Sequence, residues 1–278
     1  MSISEMQACL ARLYVDDCFR KLFYLDPDET VRHYRLTPDE ASALKNIDRR
    51  MLDFFAGSLK NKRKGGLERA YPLLFRVTSD AIGRYYHRYY QLHVVNPHQP
   101  GYQDIMDFGV FMEESMADGE DVPAYASEVA RYERLCYWTN FCPAVENGTG
   151  ATASVAREAV RTDDRLQRRR AVQLEPFSYD VTSLEEKLRS SSAADGEIEL
   201  ERGEYYVLFR PASQSYNSRV LRVNHATKTL IDLCDGSRTT SQIISAVEEQ
   251  FGTTNLEQVL FTAIDRLLTA GAIQLVRS

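Results

Sequence analysis

Apolar residues recur every three or four positions through the first half of the chain, a period that predicts helices. From Ser4 to Tyr24, Met6, Leu10, Leu13, Tyr14 and Phe19 fall on one helical face. Thr37-Pro38-Asp39-Glu40 predicts the next helix start: Thr37 caps, Pro38 sits in the first turn and Glu40 completes a capping box. Leu44, Ile47, Met51, Leu52 and Phe55 form its apolar stripe, with Gly57 near its end. A tyrosine-rich helix is expected from about Leu67 to Leu92, with Pro72 near its beginning. Two more helices are expected over Tyr102 to Met116 and Pro123 to about Asn140. Residues 1–142 thus read as an all-α bundle of about five helices.

The pattern changes at Cys142-Pro143. Residues 143–196 read as a linker with one strand, around "AVQLEPFSYDV", and one short helix over Ser183 to Ser190. In residues 197–278 alternation replaces the helical period. "EIELERGEYYVLFR" predicts a hairpin turning at Arg202-Gly203, and Arg219 to Val223 a third strand. Asn224 caps a helix ending at Gly236, where Asp235-Gly236 makes a tight turn. Thr239-Thr240-Ser241-Gln242 and Thr254-Asn255-Leu256-Glu257 read as capping boxes for two further helices, the last closed by Gly271. The fold class expected is α+β: a helical bundle followed by a winged-helix-like β-β-β-α-α-α module.

Charge decides what such a module holds. A DNA reader needs a basic recognition helix, because phosphate attraction supplies most of the affinity. From Glu197 onward eight bases stand against ten acids, a net −2, and the second helix carries Glu248 and Glu249. The whole chain is also acidic, at −6 with a pI near 5.5. A winged-helix transcriptional regulator is therefore the weaker alternative. An extended peptide adding to the strand Arg219-Val220-Leu221-Arg222-Val223 fits better: backbone hydrogen bonds supply affinity, and alternate apolar side chains enter a groove beside the third helix. Leu260, Ile264 and Leu267 would line that groove, and Arg219 and Arg222 would pair with acids on the peptide. The same helix face would serve equally as the module's own core.

Other chemistry is sparse. As metal ligands His87, His93 and His98 would need an i, i+4 helical pair or help from placed carboxylates; spacings of six and five fit neither, and they read as structural or surface histidines. Cys136 and Cys142 read as packing residues ahead of a redox pair. The five cysteines form no C-x-x-C pair, and G-x-S-x-G, phosphate-loop and G-x-G-x-x-G patterns are all missing from the sequence. Lys60-Asn61-Lys62-Arg63-Lys64 reads as a solvated loop after a helix end. Tyr85, Tyr86, Tyr89 and Tyr90 are divided between core and a partner-facing surface, since tyrosine is enriched in interfaces. No basic, apolar leader opens the chain and no apolar run reaches the length of a membrane span, so a cytoplasmic protein that binds neither membrane nor nucleic acid is expected.

"VLRVNHATKTLIDLCDGSRTTSQIISAVEEQFG" resembles the peptide-chaperone domain of the pyrroloquinoline quinone pathway, with its polar helix cap, Asp-Gly turn and Thr-led second helix. Such domains recognise leader segments of ribosomally made, modified peptides. "YPLLFRVTSDAIGRYYHRYYQLHVVNPHQPGYQDIMDFGVFMEE" and "PAYASEVARYERL" resemble the helical domain of partner proteins of multinuclear non-haem iron-dependent oxidative enzymes, and "FSYDVTSLEEKL" their connecting segment. Together the two resemblances imply a non-catalytic partner subunit, as in pathways making thiaglutamate from a peptide-terminal cysteine. Its own chain would hold no cofactor. The iron would sit in a separate enzyme, bound as a heterodimer through the helical half, with the Tyr85–Tyr90 cluster as the expected contact.

Overall fold

The computed structural model describes residues 3–94, 100–141, 160–190, 198–211 and 220–276. It is α+β, with thirteen helices and two antiparallel three-stranded sheets among the described residues. The chain divides into two compact units, Met1–Ala130 and Arg131–Ser278.

The first unit is helical: α1 (Ile3–Val15), α2 (Asp17–Leu25), α3 (Pro27–Val31), α4 (Pro38–Lys45), α5 (Arg49–Ala70), α6 (Pro72–Val77), α7 (Ile82–Leu92), α8 (Gly101–Met116) and the start of α9 (Ala126–Phe141). Among the described residues nine helices replace the five expected because caps divide the long periodic stretches. Asp16 accepts from the Phe19 N–H at 2.9 Å and starts a new helix inside the Ser4–Tyr24 segment. Asp48 does the same for α5, accepting from Arg50 N–H at 2.8 Å, so the Leu44–Phe55 stripe belongs to two helices. Pro72 lacks an N–H and forces Tyr71 out of helical geometry, to φ −126°, splitting the Leu67–Leu92 segment. Conversely α5 runs straight through Gly57 and through the Lys60–Lys64 run expected to be a loop. The Thr37 capping box forms as expected, with the Thr37 N–H donating to Glu40 Oε2 at 2.8 Å.

One core of this unit gathers Cys9, Leu13, Phe19, Phe23, Leu44 and Leu52. Tyr71, Tyr89, Phe108 and Met112 are buried as well, with Phe108 meeting the rings of Tyr71 and Tyr89 edge-on at 5.3 and 5.1 Å.

The second unit contains β1 (Arg165–Arg168), β2 (Gln173–Tyr179), a 3-10 turn at Val181–Ser183, α10 (Leu184–Ser190), β3 (Arg202–Phe209), β4 (Val220–Val223), α11 (His225–Leu233), β5 (Asp235–Thr239), α12 (Thr240–Phe251), α13 (Glu257–Thr269) and β6 (Ile273–Val276). One sheet has the order β2-β3-β4, the other β5-β1-β6. The 143–196 stretch expected as a linker thus supplies two strands, one to each sheet. β1 reads as linker because only Leu166 of its four residues is buried; Arg165, Gln167 and Arg168 face solvent. The expected β-β-β-α-α-α order is accordingly interrupted by β5 and closed by β6.

Three local expectations fail here for identifiable reasons. Arg202-Gly203 opens β3 and makes no hairpin turn; β3 lies between β2 and β4, with Phe177 opposite Tyr205 and Leu208 opposite Leu221. Asp235-Gly236 belongs to β5 and pairs with β1, the left-handed Gly236 (φ +86°) lying over the Gln167 side chain. The Thr254 capping box does not form: α13 starts after Leu256 with no side-chain cap, and the Leu256 N–H donates to Glu248 Oε1 at 2.8 Å. The Thr239 box does form, Gln242 N–H donating to Thr239 Oγ1 and Thr239 N–H to Gln242 Oε1. Thr239→Ala should destabilise the unit by about 1 kcal/mol, the usual cost of losing such a cap, measured by urea unfolding.

Candidate functional site at the outer strand

β4 follows directly on residues 212–219 and leads through Asn224 into α11. Asn224 accepts from the Thr227 N–H at 2.8 Å, which fixes the end of the strand. β3 fills one side of β4, and among the described residues no strand pairs with its other side. An edge strand of this kind presents unpaired backbone groups, a template for an added strand. At the opposite edge of the sheet β2 carries Pro176, which has no N–H to donate and is suited to an edge.

The two faces of β4 differ. Leu221 and Val223, with Leu208 of β3, pack toward the core formed with α11, α12 and α13 and stay partly exposed. Val220 and Arg222 point the other way. Across that face Phe209 lies 6.3 Å from Phe177 and 5.8 Å from Tyr132, ring centre to ring centre. Arg222 donates to Asp180 at 2.6 Å and its guanidinium lies 4.8 Å from the centre of the Tyr205 ring. It is thus already engaged within the chain, which removes it as a ready partner for acids on a peptide. Arg219, the other expected cation, lies outside the described residues.

Leu260, Ile264 and Leu267 are not groove residues in this structure. They are 4%, 0% and 5% exposed and form the centre of the core together with Leu230, Ile243 and Val247. The apolar α13 residues that remain accessible are Val259, at 64%, and the partly buried Phe261, Ala263 and Leu268. Periodicity identified the apolar side of α13 correctly, but period alone does not separate a face that meets a core from one that meets a ligand.

The tyrosine cluster is likewise interior. Tyr86, Tyr89 and Tyr90 are buried, and only Tyr85 is half-exposed. Tyr89 donates to Asp104 Oδ1 at 2.7 Å, Tyr86 to the Lys60 carbonyl at 2.8 Å, and Tyr85 to Asp121 at 2.8 Å. Burial pushes the Tyr86 phenol up to about 12. The expectation that this cluster faces a partner is therefore corrected: the buried trio holds α7 against α5 and α8.

Arg63 shows why α5 stays helical through its basic run. Its Nε donates to Asp104 at 2.9 Å, a second N–H binds the same carboxylate, and Nη1 donates to the His93 carbonyl at 2.9 Å. Burial works against its charge, and the bonds and attraction of Asp104 more than offset that, raising its pKa. Beside it lies a cleft of about 510 Å³ lined in part by Leu59, Lys62, Tyr90, Leu92 and Val94.

His93 is stacked on Tyr89 at 4.5 Å, His87 meets the Gln91 side-chain amide, and His98 lies outside the described residues. Among the described residues no group of three His, Cys, Asp or Glu side chains is placed to hold a metal ion. Burial pushes the thiols of Cys9 up to about 11 and of Cys136 and Cys234 up to about 12. At pH near 8 these three remain protonated, Cys9 and Cys234 buried and Cys136 half-buried, while Cys18 is exposed. Iodoacetamide should modify Cys18 rapidly in the native protein and leave Cys9, Cys136 and Cys234 unmodified until denaturant is added, as peptide mass mapping would show. Cys142 lies outside the described residues.

No helix among the described residues is long and apolar enough to cross a membrane. In comparisons with known proteins, no family model matches the chain and no curated protein matches it significantly.

Proposed function

We propose that this chain is a non-catalytic accessory subunit. It holds the leader of a ribosomally made precursor peptide as an added strand on β4 and presents the peptide to a separate non-haem iron oxidative enzyme. The observation that carries the reading is the outer position of β4, with half-buried Leu221 and Val223 beside the helical core. An incoming antiparallel segment gains backbone hydrogen bonds along one edge and buries alternate apolar side chains against those two residues. The acidic α12, which has Glu248 and Glu249 and no Lys or Arg, supports a peptide ligand over DNA. Holding the leader raises the local concentration of the reacting end, so a modest affinity suffices. The family resemblance supplies the class of enzyme and the modification of a C-terminal cysteine.

The test uses the full chain, a fluorescent leader peptide and the iron enzyme. Leu221→Asp and Val223→Pro should each weaken leader binding at least tenfold, about 1.4 kcal/mol, with far-ultraviolet circular dichroism unchanged. Complete modification of the peptide by the enzyme without this chain would overturn the proposal.

A further inference from the structure

The exposed side of α5 is unlike the rest of the molecule. Within its 22 residues stand seven Lys and Arg against Asp53 and Glu68, a net +5 in a chain whose total is −6. At about 100° per residue, Met51, Phe54, Phe55 and Leu59 share one face over the first half of the helix, and Lys62 and Arg69 continue it over the second. That face has no acid. Met51 is 49% exposed, Phe54 67%, Phe55 46% and Leu59 43%. Such a run of large apolar side chains in water is costly unless something covers it.

The cations of α5 fall into two sets. Lys60 pairs with Asp17, Arg63 with Asp104, and the Arg49 guanidinium lies over Tyr24, so these serve the fold. Arg50, Lys62 and Arg69 are exposed, Lys64 is half-buried, and none of the four forms an ion pair among the described residues; of these only Lys62 and Arg69 lie on the apolar face. Between them a side chain added at Gly66 would meet nothing within 4 Å, so a partner has room to approach the helix backbone. Leu59 and Lys62 also line the cleft of about 510 Å³ beside Tyr90 and Leu92, giving the face a pocket at its middle.

We infer that this face of α5 is a docking surface for a protein that is acidic and carries a protruding apolar side chain. The apolar half takes the partner's hydrophobic contact, the cleft its anchor residue, and Lys62 and Arg69 its carboxylates. An anionic membrane fits less well, because the apolar and basic parts lie end to end along the helix; a membrane-surface helix has its basic residues along the flanks of the apolar stripe. A buried apolar centre supplies most of such an interface's affinity, and exposed charge steers the encounter. This inference rests on the accessory-subunit reading, in which the partner is the iron enzyme, and replaces the tyrosine cluster as the contact.

The experiment measures binding of the full chain to the purified iron enzyme by calorimetry, for wild type, Phe54→Ser, the double variant Lys62→Glu with Arg69→Glu, and Arg189→Glu as a control at an exposed position of α10. Phe54→Ser and the double charge variant should each raise Kd at least tenfold, with unchanged melting temperatures, and wild-type binding should weaken as salt rises. Arg189→Glu should bind as wild type. If both α5 variants bind the enzyme like wild type, the docking face is elsewhere and the accessory reading stands. If wild type itself does not bind, both readings fall. Cosedimentation of wild type with phosphatidylserine vesicles, lost in Phe54→Ser, would overturn the protein-docking assignment in favour of a membrane. Self-association of wild type in ultracentrifugation, lost in the same variant, would overturn it in favour of a second copy of this chain.

Discussion

Replacing Asp104 with alanine is expected to cost the helical unit about 3 kcal/mol. Its carboxylate accepts from two N–H groups of Arg63 and from the Tyr89 hydroxyl. The Arg63 side chain is 8% exposed, so removal of the carboxylate leaves a cation without its counter-charge where water reaches it poorly. Asp104 itself is 27% exposed, which places the cost at the lower end of that for fully buried pairs. The exposed Arg189–Glu185 pair makes the contrast: both side chains are well over half exposed, and Glu185→Ala should change stability by less than about 0.5 kcal/mol. Guanidinium unfolding of the two variants gives both numbers. A second signal is spectroscopic. Burial raises the Tyr89 pKa, and the Asp104 charge raises it further. Asp104→Ala removes the second cause, so the Tyr89 phenol should ionise at lower pH in the variant than in the wild type, read at 295 nm.

Legibility in the sequence followed the range of the interactions involved. Helix starts governed by side chains three residues apart were readable: Thr37 with Glu40, Thr239 with Gln242 and Asn224 with Thr227 all form. The outer strand Val220–Val223 was readable from its alternation and its helix cap. Helix breaks at Asp16 and Asp48 were missed because the apolar period continues across each cap; the signal was a lone aspartate that accepts from the N–H two or three residues on. Strand pairing was the least legible. β1 pairs with β5 and β6 across separations of more than 60 residues, and its one buried side chain, Leu166, carries no period. For the site, the sequence located the strand but not the environment of its neighbours. Arg222 looks like a free cation until Asp180, 42 residues away, is brought to it. Tyr86 and Tyr89 look like an interface until Lys60 and Asp104 are seen to accept their hydroxyls.

Ile264→Ala should lower the stability of the second unit by about 2–5 kcal/mol, and Leu260→Ala by a similar amount. These residues sit on the side of α13 that a groove would also use, so the variants separate the two roles. Ile264 is fully buried among Leu230, Ile243, Val247 and Leu267, and truncation leaves a cavity that the surrounding helices fill only in part. A groove-lining residue behaves differently: its truncation lowers leader affinity and leaves the urea midpoint of the free protein almost unchanged. Val259, exposed on the same helix, is the internal control, and Val259→Ala should move the midpoint little. If Ile264→Ala instead weakens leader binding at unchanged stability, α13 opens in solution and its apolar side belongs to the peptide. With the expected result, the peptide's apolar side chains are left with Leu221 and Val223 of β4 and the partly exposed Phe261, Ala263 and Leu268 of α13. Recognition would then depend chiefly on backbone pairing along the strand, with a shallow apolar rim in place of a deep groove, and leader side chains could vary widely so long as the segment stays extended.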